Sequence, residues 1–385
     1  MKTPVIVDCC RTAIGRAHSE RGVFRDVRSD DLAAAVVRAI VDRTGVDPAA
    51  VEDVVLGNTQ QQGEQGFNVG RIVALLAGLP STVGGATINR LCGSSLQAIN
   101  QAAHAVAAGA EDVQIVGGLE HMHHIPMDAD VNFNPKLFQS TSKGALHMGF
   151  TAEFLAQTQG IDRTAQDEFA LASHRKAAAA TDAGEFTPEI IPVWGRDEAG
   201  HQALITQDQC IRRDTSLEAL AALPPAFMPK IGTVTAGNSS PLNDGAAALL
   251  LMSAERAKEL GLSPLVKVRA TAVAGVDPAV MGTGPVPATK RALKRAGLTL
   301  ADVDLIELNE AFAAQALACM GMLDLDSTKV NVRGGAIAIG HPLGASGARI
   351  ATTLIHAMVA RDAAIGLATM CIGIGQGIAT VFERV

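Results

Sequence analysis

The chain has 385 residues, a net charge of −7, 48% apolar residues and only 18% charged ones. That apolar content excludes a disordered chain, and an acidic balance with 3% aromatics excludes a nucleic-acid footprint. At roughly 150 residues per domain, the length predicts about two or three domains with a large core of small and aliphatic side chains.

Strand-like and helix-like runs alternate along the first part of the chain. Residues 4–7 read as a strand and 31–43 as a helix, with Ser29 or Asp30 as N-cap. A strand at 51–56, a short helix at 71–77, a helix at 94–108 and a strand at 112–116 follow. This order predicts an α/β fold with a largely parallel sheet. Residues 119–243 break the pattern with scattered helices, such as 163–180, among many Pro, Gly and polar residues. A stretch of that length predicts an inserted subdomain that serves substrate binding.

The pattern then repeats. GVDPAAVEDVVLGN (45–58) resembles GLTLADVDLIELN (297–309), which sets Asn58 and Asn309 251 residues apart. At nearly the same offset the helix 94–110 matches 345–360, and the strand 112–118 matches 364–370. A constant offset across these elements indicates a tandem duplication of one α/β unit. The expected division is 1–118 plus 244–260 for the first half, 119–243 for the insertion, and 261–385 for the second half.

The low charge has two explanations: a membrane face, or an unusually large interior. Residues 363–382 carry no charge over a span-length window, but that window holds four Gly, a Gln and two Thr. It reads better as two strands, 365–371 and 377–382, joined by a Gly-rich turn. No membrane span is expected. The N-terminal MKTPVIVDCCRTAIGR has too short an apolar run for a secretory signal, so a cytoplasmic location is expected. The six Cys show no CxxC spacing, and without a secretory signal no disulfide is expected.

Cys92 precedes a helix predicted to start near Ser94. Helix N-termini lower thiol pKa values, so this placement predicts a nucleophilic thiolate with its own N–H facing an oxyanion. The alternative is a buried Cys at a strand–helix turn. His341 lies between Gly340 and Pro342, ahead of the twin helix, close to the place in its half that Cys92 takes in the first. Two such helices meeting at a pseudo-two-fold axis would pair the nucleophile with a base. Cys371 opens CIGIGQG after a strand; a second thiol there suggests disulfide exchange or proton transfer at carbon. Asn309 ends a strand, where its amide can hold a water or donate to an oxyanion. The EHMHH run (120–124) invites a zinc reading through His121, His123 and His124. It lacks HExxH spacing and a third-ligand pattern, so no metal is expected.

Together the motifs RLCGSS (90–95), TVTAGNSSPLNDGAAA (233–248), NEAFA (309–313), GGAIAIGHPLGASGAR (334–349) and CIGIGQG (371–377) resemble the thiolase family over essentially the full length. The C-terminal CIGIGQGIATVFERV, HIPM (124–127) and MGTGPVPATK (281–290) look most like bacterial 3-ketoacyl-CoA thiolases of fatty-acid β-oxidation, the acetyl-CoA acyltransferase β subunits of fatty acid oxidation complexes. The resemblance implies a five-layer αβαβα sandwich with an inserted loop subdomain. It implies Cys92 as nucleophile, His341 as its base, and Cys371 as the acid that protonates the departing acetyl-CoA enolate. His341 and a water held by Asn309 would form one oxyanion hole, and the N–H groups of Cys92 and Gly373 the other. CoA contacts would fall on His147, Arg212, Phe227, Ala236, Ser240 and Phe312. The family commonly carries Arg at position 224, where this chain has Pro224. No cofactor is implied, since CoA is a co-substrate of 3-ketoacyl-CoA. Implied partners are a second copy of the chain, as dimer or dimer of dimers, and a hydratase/3-hydroxyacyl-CoA dehydrogenase α subunit. Rival activities are a biosynthetic acetoacetyl-CoA thiolase, a ketoacyl synthase-like condensing enzyme, and a non-catalytic lipid-binding thiolase-like protein.

Overall fold

Nine strands lie side by side in one hydrogen-bonded path in the computed structural model, which describes residues 1–385. From one edge they are Ala86–Ile88, Asp53–Gly57, Val113–His121, Asn243–Ser253 and Pro4–Thr12, all from the first half. The second half continues with Val266–Gly275, Gln376–Arg384, Ile365–Ile372 and Leu305–Leu308. The halves join through a short antiparallel contact, Val5 opposite Lys267 and Ile6 opposite Val266.

The sheet is mixed, not largely parallel as the alternation of elements predicts. Only strands connected through helices pair in parallel, as Asp53–Gly57 does with Val113–His121 and Leu305–Leu308 with Ile365–Ile372. The last two strands are linked by the turn 373–375 and pair antiparallel, the only arrangement such a turn permits. Asn243–Ser253 returns from the insertion antiparallel to Val113–His121. Several elements also extend beyond their expected limits. The first strand runs to Thr12, and the first helix spans Ser29–Thr44 with Arg28, not Ser29 or Asp30, at its N-cap.

Side-chain alternation builds the layers. Val54 and Leu56 face outward, into a core with Leu32, Val36 and Ile40 of the Ser29–Thr44 helix. Val55, between them, faces inward and packs with Leu96 and Ile99 of the Ser94–Ala108 helix and Ile350 and Leu354 of the Ser346–Arg361 helix. The same central core takes Met370, Ile378 and Phe382 from the second half-sheet. Beyond that half-sheet, Leu293 of the Pro285–Ala296 helix and Ala316 of the Ala313–Leu323 helix pack on Ile306, Leu367 and Val381. The order is helix, sheet, helix, sheet, helix. The repeat recurs in three dimensions: helices closed by Gly45 and Gly297 lead to strands that end just before Asn58 and Asn309.

The two central helices contribute to the low charge and lie in the interior. Residues 94–100 and 346–355 are buried without interruption. The last turns of the first helix surface at Gln101 and His104, so its burial is less complete than its composition suggests. No helix is long and apolar enough to cross a membrane. The helices touch through glycine: a Cβ on Gly347 would lie 2.3 Å from the backbone N of Leu96. Ser95 Oγ accepts from Ala348 N at 2.8 Å beside it. Gly347→Ala is therefore expected to cost about 3 kcal/mol, read as a lowered denaturant midpoint in equilibrium unfolding.

The insertion between His121 and Asn243 holds the helices Met148–Thr158, Arg163–Asp182 and Leu217–Ala221 and a small hairpin, Val193–Arg196 with Gln202–Ile205. Ala170 and Leu171 of this segment pack on Ala313 and Ile337 of the second half. Fully buried Arg11 pairs with Glu189 and Asp208 of the insertion at 2.7 Å.

Candidate active site

Cys92 sits in the loop before the first central helix, whose N-cap is Gly93. Its thiol is pushed up to about 11, because burial outweighs the N–H groups of Gly373 and Cys92 that point at the sulfur. The helix N-terminus therefore does not yield a resting thiolate, contrary to the expectation from sequence. A dipole effect of about 0.3–2 kcal/mol is smaller than the desolvation of a buried anion. Cys92 therefore rests as a thiol, and to act as a nucleophile it would need a base.

His341 supplies the imidazole. Gly340 precedes it at φ +124°, a conformation that L side chains rarely adopt, and turns the loop so that the ring enters the core. Asn243 Oδ1 accepts from the His341 backbone N–H at 2.8 Å. The ring is held from both ends: Nδ1 lies 2.6 Å from Ser346 Oγ, and Nε2 lies 3.4 Å from Asn309 Nδ2. Ser346 Oγ in turn lies 3.1 Å from Pro342 O, so it donates there and accepts from Nδ1–H. This network assigns the proton to Nδ1 and leaves Nε2 as the basic lone pair. Burial, aided by the Arg349 charge, pushes the imidazole down to about 3. It is neutral at rest. No hydrogen bond joins Cys92 to His341 in this arrangement.

Cys371 is buried at the end of its strand, with Met281 and Ala311 against it and Met148 and Phe312 alongside. Burial raises its thiol well above the ordinary value, and the neighbouring Cys92 raises it further. It holds its proton at rest, which suits an acid. All six cysteines are free. Gly373 begins the turn after this strand, with Leu91 and Met148 nearest to it. Cys92, Cys371 and Gly373 thus meet at one point, and Arg90 Nη1 donates to Gln376 Oε1 at 2.9 Å across the same seam.

The residues expected to contact CoA form a continuous trail. Arg212 and Ala236 line one pocket with Arg16, His174 and Ser239. Ser240 Oγ donates to Ala311 O at 3.1 Å, and Ser239 bridges to Phe312. The Phe227 ring stands edge-on to Phe312 with centroids 6.1 Å apart. Gly149, two residues after His147, packs under Phe227. The trail ends at Met148, beside Gly373. The rings of His121 and His124 in the EHMHH run are tied up elsewhere. The His121 and His124 rings stack at 3.7 Å, and His124 lies 3.0 Å from Glu64 and 2.8 Å from Arg25 O.

Reading the sequence alone missed Ser346, Asn243 and Glu120. Ser346 lies within the GGAIAIGHPLGASGAR motif, five residues after His341, and that spacing was the available signal. Glu120 sits in the EHMHH run, where no local spacing sets it apart from the histidines. Its buried carboxylate accepts from Asn58 Nδ2, Gln65 Nε2 and the N–H groups of Thr59, Gln60 and Gly344. It thereby clamps the loop after His341 to the first half. Ser346→Ala is expected to lower kcat about tenfold, the cost of one hydrogen bond near 1.4 kcal/mol. Steady-state kinetics with unchanged thermal stability would check it.

Two family models cover nearly the whole chain: "Thiolase, N-terminal domain" matches residues 4–255 and "Thiolase, C-terminal domain" residues 262–384. The chain is 56% identical to the 3-ketoacyl-CoA thiolase of Aeromonas salmonicida over 100% of both chains. It is likewise 56% identical to the 3-ketoacyl-CoA thiolase of Aliivibrio fischeri, again over 100% of both. The crystal structure of the Bacillus anthracis acetyl-CoA acetyltransferase superposes with a TM-score of 0.91 at 40% identity, covering 100% of this chain and 99% of that one. By fold, by motif order and by these matches, the chain belongs to the thiolase family.

Proposed function

We propose that the chain catalyses thiolytic cleavage of 3-ketoacyl-CoA by CoA, giving acetyl-CoA and an acyl-CoA two carbons shorter, as an acyltransferase of fatty-acid β-oxidation. The observation that carries this is the meeting of two protonated thiols, Cys92 and Cys371, in a chain that also buries a neutral imidazole, His341, with its proton on Nδ1 and its Nε2 lone pair toward the Asn309 amide.

Each proton has a place to go. His341 Nε2 takes the Cys92 proton as the sulfur adds to the C3 carbonyl. The Cys92 and Gly373 N–H groups form one oxyanion hole, and His341 with a water held by Asn309 forms the other. The C2–C3 bond breaks, its electrons pass to C2, and Cys371 protonates that carbon. Acetyl-CoA leaves acyl-Cys92 behind. CoA then attacks the thioester while its thiol proton returns to Cys371, and His341 reprotonates departing Cys92. The cycle is ping-pong. His147, Arg212, Phe227, Ala236, Ser240 and Phe312 hold the CoA moiety along the trail that ends beside Gly373.

The second reading is an acetoacetyl-CoA-specific enzyme, favoured by the 40% identity to the Bacillus anthracis acetyl-CoA acetyltransferase. A kinetic series over 3-ketoacyl-CoA chain lengths with CoA separates the two. Turnover of 3-ketooctanoyl-CoA is expected; activity confined to acetoacetyl-CoA would overturn the β-oxidation role. The same two-half reading divides the chain at 1–118 plus 244–260, 119–243 and 261–385. It makes the protein a cytoplasmic homodimer or dimer of dimers that can join a hydratase/dehydrogenase α subunit. Exposed Phe67, Leu75 and Leu76, near the free edge strand Ala86–Ile88, support self-association. Light scattering of the purified chain, alone and with such an α subunit, tests both.

A further inference from the structure

The two ring partners of His341 come from different elements. Ser346 opens the second central helix, and Asn309 follows the strand Leu305–Leu308. Those same two elements are joined once more nearby. Arg349, one helical turn after Ser346, lies 3.5 Å through Nη1 from Oε2 of Glu307, two residues before Asn309. Residues i and i+3 share a helix face, and i and i+2 share a strand face. The pair therefore runs alongside the His341 contacts and spans the same gap. Leu305, on that strand face, packs in the central core, whereas Ile306 and Leu308 face the outer helices.

The pair is ill suited to stabilisation. Arg349 is fully buried and Glu307 is 2% exposed. None of the Arg349 guanidinium nitrogens makes a hydrogen bond, and neither does Glu307 Oε2. A buried ion pair without hydrogen-bond support is weak evidence of stability, and apolar side chains often replace one without loss. Of the other carboxylates nearby, Glu310 is engaged with Ser173, Asn331 and the Ile337 N–H and Asp208 with Arg11, while Glu189 gives Oε1 to Arg11 and Thr353 and lies 3.7 Å through Oε2 from Arg333. Arg349 is also the only Asp, Glu, Lys or Arg in residues 94–108 and 346–360 combined.

We propose that Arg349 and Glu307 form a positioning pair for the reaction, setting the helix that carries Ser346 against the strand that leads to Asn309 so that the His341 ring is held between them. This rests on His341 acting as the base. Neither residue touches the reacting atoms. The pair acts through the distance between the two partners of the ring.

The test is a kinetic series on Glu307→Gln, Arg349→Met, Arg349→Lys and the double variant Glu307→Leu with Arg349→Met, with His341→Ala alongside. Glu307→Gln and Arg349→Met are each expected to lower kcat about tenfold while KM for 3-ketoacyl-CoA stays within about twofold. Arg349→Lys, which keeps the charge, is expected to recover most of kcat. The double variant is expected to lose no more than the worse single one, as for residues acting as a unit. A folded Glu307→Gln enzyme with wild-type kcat, beside an inactive His341→Ala, would overturn the pairing and leave the base intact. Wild-type turnover by His341→Ala would instead overturn the base and the pairing with it. If Arg349→Met fails to fold, Glu307→Gln and Arg349→Lys decide: equal losses in kcat and melting temperature in both mean a structural pair only.

Discussion

His341→Ala is expected to lower thiolysis at pH 7 by about 10³- to 10⁴-fold. The size follows from the resting state of the nucleophile. With its thiol near pH 11, Cys92 carries thiolate in roughly one molecule in ten thousand at pH 7 without a base. A positioned base contributes about 10²–10⁴ by itself, a loss of the same size. The variant should also show a distinctive pH profile. Thiolate rises tenfold per pH unit below its pKa, so kcat/KM of His341→Ala should climb with a slope near one on a log scale as pH rises toward 11. The wild type should lack that climb near neutrality, because its neutral imidazole already takes the proton. A flat profile in the variant would mean that Cys92 ionises by another route.

Cys371→Ala is expected to separate the two halves of the reaction. Thiolysis of 3-ketoacyl-CoA should fall about 10²- to 10⁴-fold, because the C2 carbanion loses its proton donor. Acylation of Cys92 by a thioester of a low-pKa aryl thiol should survive, since that leaving group departs as the thiolate and the step then needs only Cys92 and His341. Intact-mass detection of acyl-Cys92 would read the surviving step, and thiolysis the lost one. Cys371 suits this role because burial keeps it protonated beside the Cys92 sulfur. Loss of both activities together would instead assign Cys371 to the loop that shapes the site. Turnover at the wild-type rate would remove it from the mechanism.

Much of this site is legible in the sequence, because its chemistry sits in loops marked by glycine. RLCGSS, GHPLGASG and CIGIGQG each place a reactive residue at a turn, and the constant offset between halves predicts that Cys92 and His341 share a centre. The repeat is likewise visible as Gly45 with Asn58 and Gly297 with Asn309, and each pair brackets the same element. Residues that work through a distant partner are harder to see. Asn243 holds the His341 backbone across 98 positions of sequence, and Glu120 holds Gly344 across 224. Nothing local to Asn243 or Glu120 indicates such contacts. Arg349 carries a faint signal as the only charge before the last residue of its helix, but its partner Glu307 does not. The sheet departs from the sequence expectation for a simpler reason. Alternating strands and helices suggest parallel pairing, yet the Gly-rich turn at 373–375 already demands an antiparallel pair. The thiol at Cys92 shows the limit of a local rule: the helix terminus is visible in sequence, whereas the burial that outweighs it belongs to the assembled core.

The central claim is that a single thiol, Cys92, carries the acyl group between the two half-reactions. Rapid quenching of the enzyme with 3-ketooctanoyl-CoA in the absence of CoA, followed by intact-mass measurement and peptide mapping, tests it directly. A hexanoyl adduct is expected on the peptide containing Cys92, in step with one equivalent of acetyl-CoA released. An adduct on Cys371, or full acetyl-CoA release from a Cys92→Ala enzyme, would contradict it.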